Sequence, residues 1–222
     1  MNVLVVAAHP DDEILGGGAT FARLAREGHS VHLAVLGEGL TSRGETSGKE
    51  LEELHGAQTA AAFAVGANGH SQHGLPDNRF DTVALLDVVQ VVEKLIEHHA
   101  PEAIYTHHAG DLNVDHRITA QAVLTATRQM EGTSVREVLA FEVPSSTEWT
   151  LGQIDPVFTP NVFVDVTETL EAKFEALECY ASEMRPYPHP RSREAIEAIA
   201  KRWGSVAGCH AAEAFQLVRS VR

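Results

Sequence analysis

Apolar positions along the chain follow two alternating patterns. Residues 3–8, VLVVAA, form an unbroken apolar run bounded by His-Pro, the signature of a strand buried on both faces. Behind it Ile14, Leu15, Ala19, Phe21, Ala22, Leu24 and Ala25 recur at roughly helical spacing up to Gly28. The pair then repeats. SVHLAVLGEG predicts a second strand, KELEELHGAQTAAAFAVGA a helix closed by glycine, and HSQHGLPD a short third strand and turn. A helix over 83–98, a strand in EAIYTHH, a helix over 115–130 and a strand in VREVLAFEV continue the series. Such alternation implies an α/β fold, a Rossmann-like and mostly parallel sheet flanked by helices. Two stretches rich in proline and small polar residues, 143–161 and 184–193, read as long ordered loops rather than linkers, because too little chain follows either one to build another core. Residues 1–222 are therefore expected to form a single domain.

In an open parallel sheet, ligands sit beyond the carboxyl ends of the strands where the strand order reverses. HPDDE follows the first strand and puts His9, Asp11, Asp12 and Glu13 on one turn, a denser set of ionisable groups than a turn needs. THHAGDLNVDH follows the strand around 103–105 and again gathers His, Asp and Asn. If those two strands are neighbours, both loops meet in one crevice at the carboxyl ends. Imidazole and carboxylate without thiolate suit a borderline divalent ion such as Zn²⁺, and two histidines with one carboxylate leave a coordination position open for water. Water there reaches a pKa of about 7, and a further carboxylate off the metal would act as general base. Asp11 beside Asp12 and Asp115 beside His116 supply that surplus. The same residues admit plainer readings, Asp11 or Asp12 as an N-cap and GDLNVDH as an Asx-rich turn with Asp115 capping the next helix.

Charge narrows the partners. Seventeen basic residues against 31 acidic ones, net −14, repel phosphate backbones and anionic membrane surfaces, so no nucleic acid partner is expected. No segment approaches the roughly 20 apolar residues that span a bilayer and the first residues lack a basic leader, so the expectation is a cytoplasmic protein with no membrane span. Cys179 and Cys209 have no CxxC spacing and predict neither a disulfide framework nor a thiolate zinc site.

AHPDDE followed by GGG, with DLNVDH further along, resembles the LmbE-like or PIG-L family of zinc-dependent N-acetyl-sugar deacetylases. GLPDN at 74–78, KFEALECYASE at 173–183 and GCHAAEAF at 208–215 extend a looser likeness over most of the chain. The resemblance implies His9, Asp12 and His116 as zinc ligands, Asp11 as the general base and Glu13 as a supporting residue. It further implies removal of an acetyl group from an N-acetylglucosaminyl-like sugar or conjugate, and a homo-oligomer. Other divalent ions would occupy such a site in vitro. One position departs: several members carry a histidine three residues before the metal histidine, where this chain has Asn113. An amide donates a hydrogen bond to an oxyanion but cannot shuttle a proton. Both proton transfers then fall to Asp11, with Asp115 as a supporting carboxylate.

Arg43 reads as a substrate contact or a solvated loop charge, and Asp77 and Asn78 as substrate contacts or turn formers. His210 reaches the site from the C-terminal loop or serves packing, and His107 and His108 lie close enough in sequence to support the ligands. Trp149, in a polar loop, is a candidate to stack on a sugar ring, and Trp203 reads as core. The glycines at 16–18 lack both GxGxxG and P-loop spacing and are expected to let the helix approach the sheet. Two alternatives stand beside the deacetylase: hydrolysis of a different amide, in a thiol conjugate or modified natural product, at the same metal site, and a degenerate Rossmann-like binding module without metal.

Overall fold

A computed structural model of the chain describes residues 1–40 and 48–222. Its elements run β1 (Asn2–Ala7), α1 (Asp12–Arg26), β2 (Ser30–Gly37), α2 (Gly48–Ala64), β3 (Gly69–Leu75), α3 (Leu85–His99), β4 (Ala103–His107), α4 (Val114–Ala126), β5 (Glu137–Phe141), β6 (Val162–Asp165), α5 (Leu170–Cys179), α6 (Arg193–Ala207) and β7 (Ala212–Ser220). The strands form a seven-stranded sheet in the order β3-β2-β1-β4-β5-β7-β6. β1 to β5 pair in parallel, and β7 runs antiparallel to both β5 and β6. The expected α/β, mostly parallel architecture is present. The antiparallel end of the sheet carried no helix-strand alternation to announce it.

The unbroken apolar run of β1 has a direct structural cause. Its side chains alternate between two cores: Val3 and Val5 pack with α1, α2 and α5 residues such as Phe21, Ala61 and Phe174, while Leu4, Val6 and Ala8 pack with α3 and α4 residues such as Val88, Val92 and Val123. Helices therefore cover both faces, and no polar position is tolerated inside the strand. Helix α4 ends at Ala126, short of the expected 130, because Arg128, Gln129 and Met130 are exposed and have no apolar surface to pack on.

Strand order reverses at β1, which lies between β2 and β4 with Val3 opposite both Val31 and Ala103. The loops after β1 and β4 consequently emerge side by side, and the backbone N–H of Ala8 donates to His107 Nε2 at 2.8 Å. The glycine run seats α1 against the sheet: a Cβ on Gly16 would collide with the ring of Phe141, and α1 kinks at Gly17. The freed N–H groups of Ala19 and Thr20 donate to the buried carboxylate of Glu213, which pairs with Lys173 Nζ at 2.7 Å. Among the described residues no helix is long and apolar enough to cross a membrane.

Candidate active site

His9 stands on the turn leaving β1, Asp12 begins α1, and His116 lies in the first turn of α4. Their donor atoms converge. Asp12 Oδ2 is 3.1 Å from His9 Nδ1 and 3.1 Å from His116 Nε2, and the two ring nitrogens are 3.3 Å apart. Four ligands at zinc distances of about 2.0–2.1 Å in a tetrahedron are separated by about 3.3–3.4 Å, so this triangle is the size that one face of such a site requires. Electrostatics agree with the spacing. Burial opposes charge on both rings, yet Asp115 and Asp12 push His9 up to about 10, and Asp12 and Asp111 push His116 up to about 9. Burial likewise opposes ionisation of Asp12, but His116 and His9 hold its carboxyl well below the usual range. The acids around the triangle thus favour positive charge at its centre, and neutral imidazole with carboxylate is the donor set of a divalent transition ion.

Each ring is held from behind by a carboxylate. His9 Nε2 lies 3.0 Å from Asp115 Oδ2 and 3.4 Å from Asp77 Oδ1, while His116 Nδ1 lies 3.1 Å from Asp111 Oδ1. Such partners fix which nitrogen faces a metal and raise ligand basicity. Asp115, expected beside the reacting groups, is wholly buried and also accepts from the Phe80 N–H at 2.9 Å, so it reaches no cavity and orients His9 instead. Asp111 accepts from the hydroxyls of Ser146 and Thr147 and from the Asn113 N–H. Inside AGDLN no local pattern distinguishes Asp111 from a turn former, and only the fold brings it behind His116. His107, held neutral by burial and the nearby His116 charge, stacks on the His116 ring at 3.9 Å between centroids.

Asp11 takes backbone angles of φ 97° and ψ −30° at the start of α1, and its side chain makes no capping hydrogen bond, which sets the plain N-cap reading aside. Its N–H donates to Glu13 Oε2 at 3.1 Å, and Glu13 Oε1 accepts from the Tyr180 hydroxyl at 2.7 Å. The Asp11 carboxylate instead meets Arg191 Nη1 at 2.6 Å. Burial pushes its pKa well above the usual carboxylate range; Arg191 opposes that shift, and Asp12, Glu13 and Glu183 add to it. Burial also pushes Glu13 up to about 7. Glu13 thus bridges the Asp11 N–H and the Tyr180 hydroxyl.

A cavity of about 630 Å³ opens onto this floor, with His9, Asp11 and His116 at its base and Asp77, Asn78 and Asn113 in its wall. Asn113 is the N-cap of α4, accepting from the Asp115 N–H at 2.8 Å, and its amide donates to Asn78 Oδ1 at 3.0 Å. The Asx-turn reading of this loop therefore holds for Asn113 and not for Asp115. Asn78 Nδ2 donates in turn to Asp77 Oδ1 at 3.1 Å, so both residues shape the turn and face the cavity. Arg43 lies outside the described residues. His210 is exposed in the turn between α6 and β7, where the left-handed Gly208 ends the helix, and it is not in the cavity wall. Trp149 is 48% exposed, edge-on to His189 at 5.8 Å, and outside the cavity. Trp203 is half-buried rather than core, donating to Glu142 Oε1 at 2.7 Å. His108 ties the 143–161 loop down through the Pro156 carbonyl at 2.6 Å.

Known proteins carry the same arrangement of elements. The N,N′-diacetylchitobiose deacetylase of Pyrococcus horikoshii superposes with a TM-score of 0.78 at 19% identity, over 98% of this chain and 84% of that one. GalB, the 4-carboxy-2-hydroxymuconate hydratase of Pseudomonas putida KT2440, superposes with a TM-score of 0.80 at 24% identity, over 100% and 97%. In sequence, the uncharacterized deacetylase YaiS of Escherichia coli strain K12 is 29% identical over 178 residues, 75% of this chain and 83% of its own length. The profile of the PIG-L family, described as GlcNAc-PI de-N-acetylase, matches residues 4–127. That span covers more than half of the chain and takes in His9, Asp12 and His116, and the chain belongs to the PIG-L family of de-N-acetylases.

Proposed function

We propose that this protein is a zinc-dependent N-deacetylase acting on an N-acetylated amino sugar or sugar conjugate, with residues 1–222 working as one cytoplasmic domain. One observation carries the reading: the donor atoms of His9, Asp12 and His116 lie 3.1–3.3 Å apart at the base of a cavity that Asp11 also lines. Bound by those three residues, zinc supplies Lewis acidity, lowering the pKa of water toward about 7 and polarising an acetyl carbonyl. Asp11 takes the proton of the attacking water as its oxygen bonds to the acetyl carbon. It returns that proton to the nitrogen as the C–N bond breaks, leaving acetate and a free amine. Its raised pKa, caused first by burial, suits a carboxylate that must accept and then release a proton. Asn113 and Asn78 present amides along the wall for the hydroxyls and acetyl group of a sugar.

The cavity's charge limits the substrate. Away from the metal-binding floor, its described walls carry the carboxylates of Glu50, Glu53, Asp77 and Glu183 against the guanidinium of Arg191, and residues 41–47 contain one arginine and one glutamate. A neutral or amine-bearing acetamido sugar fits that field better than a phosphorylated one. The same charge weighs against a hydratase acting on a multiply anionic acid, the reading that the GalB likeness would favour.

The test is amine release from a panel of N-acetylated sugars by metal-loaded protein, chelated protein and Asp11→Asn. Release that requires both the metal and Asp11 is expected. Turnover that survives chelation, or that Asp11→Asn leaves unchanged, would sink the proposal.

A further inference from the structure

We infer that Arg191 is the positioning residue for Asp11, so that the proline-rich loop 184–193 completes the active site. The inference rests on the reading of Asp11 as the base. It starts from the backbone: at φ 97° Asp11 occupies a region that a residue with a side chain enters at a cost of about 1–3 kcal/mol, and such a conformation persists only where its surroundings over-determine it. Two separate restraints do so. Tyr180, at the end of α5, acts through Glu13 on the Asp11 N–H, which fixes the main chain. Arg191 acts on the carboxylate itself.

The geometry of that second restraint is specific to a guanidinium. Arg191 Nη1 donates to Asp11 Oδ2 at 2.6 Å while Nε donates to Ser145 Oγ at 2.8 Å, so one planar fork spans the β5 loop and the base. The Asp11 side chain is 4% exposed and that of Arg191 20%, which leaves the pair little water to exchange into. Arg191 is itself placed by the start of α6. Its N–H donates to His189 Nδ1 at 3.1 Å, and the next residue, Ser192, caps the helix by accepting from the Ala195 N–H at 3.1 Å. Helix α6 therefore delivers the guanidinium to a carboxylate 180 positions away in sequence. No metal ligand touches Arg191 in these contacts, which separates its work from metal binding.

The experiment measures kcat, KM, metal content and Tm for Arg191→Ala, Arg191→Lys, Asp11→Asn and the double variant Asp11→Asn/Arg191→Ala, on the best substrate of the panel. Misplacing a catalytic group by about 1 Å costs roughly a hundredfold. Arg191→Ala is accordingly expected to lose about a hundredfold in kcat with KM moved less than about threefold and metal content unchanged. Arg191→Lys keeps the charge but cannot span Ser145 and Asp11, and is expected to stay at least about tenfold below the parent. Added guanidinium ion should restore part of the kcat of Arg191→Ala and none of that of Asp11→Asn, and the double variant should be no worse than Asp11→Asn. A kcat for Arg191→Ala within about threefold of the parent overturns the inference, as does a loss that follows metal content or Tm. If Asp11→Asn itself keeps parental turnover, the fault lies with the base assignment rather than with the clamp.

Discussion

Replacing Asp111 by asparagine isolates the electrostatic support of His116. Asp111 is wholly buried, and Asn is nearly its shape: Oδ1 still faces the His116 ring and the Asn113 N–H, while the new NH₂ meets the Thr147 hydroxyl, which can accept as well as donate. What the substitution removes is the charge. The carboxylate supports the His116 ring, 3.1 Å away, both by direct contact and by its charge; the contact survives in asparagine and the charge does not. Two unit charges at that distance interact by roughly 5.4 kcal/mol at an effective dielectric constant of about 20. A metal-bound imidazole carries only part of a unit charge, and a quarter to a half of that interaction is about 1.4–2.7 kcal/mol. This corresponds to a tenfold to hundredfold weaker metal affinity, the range found when partners of ligating histidines are removed. Competition against a chromogenic chelator at neutral pH measures it directly, with Thr147→Ala as a milder companion that removes one donor to the carboxylate and keeps its charge. A dissociation constant for Asp111→Asn within about twofold of the parent, in a protein whose Tm is preserved, would refute the argument.

Three further outcomes follow from other parts of the molecule. Lys173→Met leaves the Glu213 carboxylate buried without its cation and should destabilise the fold by about 3–5 kcal/mol in denaturant unfolding, with much of the loss recovered by adding Glu213→Gln. His32 is pushed down to about 4 by burial and by the neighbouring imidazoles of His99, His70, His73 and His98. A depressed histidine pKa means that the unfolded chain takes up the proton first, so this contribution is complete above about pH 6.5 and is lost as pH falls from there toward 4. With the ring partly exposed, screening leaves about 1 kcal/mol, and His32→Asn should flatten the acid side of the Tm–pH curve by about 2–4 °C. An unchanged slope would show that the cluster titrates without strain. Finally, N-acetylglucosamine 1-phosphate should show a kcat/KM at least about tenfold below that of N-acetylglucosamine at low salt, with the gap narrowing as ionic strength rises; equal values would remove the charge-selection argument.

By itself the sequence determined what is local or periodic. The buried run of β1, the helix behind it and the repeated strand-helix alternation follow from apolar spacing, because burial on two faces of a strand or one face of a helix leaves a period in the chain. HPDDE stands out for the same reason: His9, Asp11 and Asp12 share one turn, so adjacency alone places them together, and His116 follows a second strand in the same manner. Tertiary structure decided everything that pairs across the fold. Asp111 and Asp115 look alike in GDLNVDH, and only the entry of α4 puts one behind His116 and the other behind His9. His210 looks like a site residue in its motif, yet the glycine cap of α6 leaves it in solvent. Tyr180 and Arg191 bear on Glu13 and Asp11 from 167 and 180 residues away, in a helix end and a proline-rich loop that no local pattern ties to HPDDE. Contacts of that kind have no period. They arise when α5 and α6 pack against the sheet, since the partner of a side chain is then set by where whole elements dock and not by its neighbours in the chain.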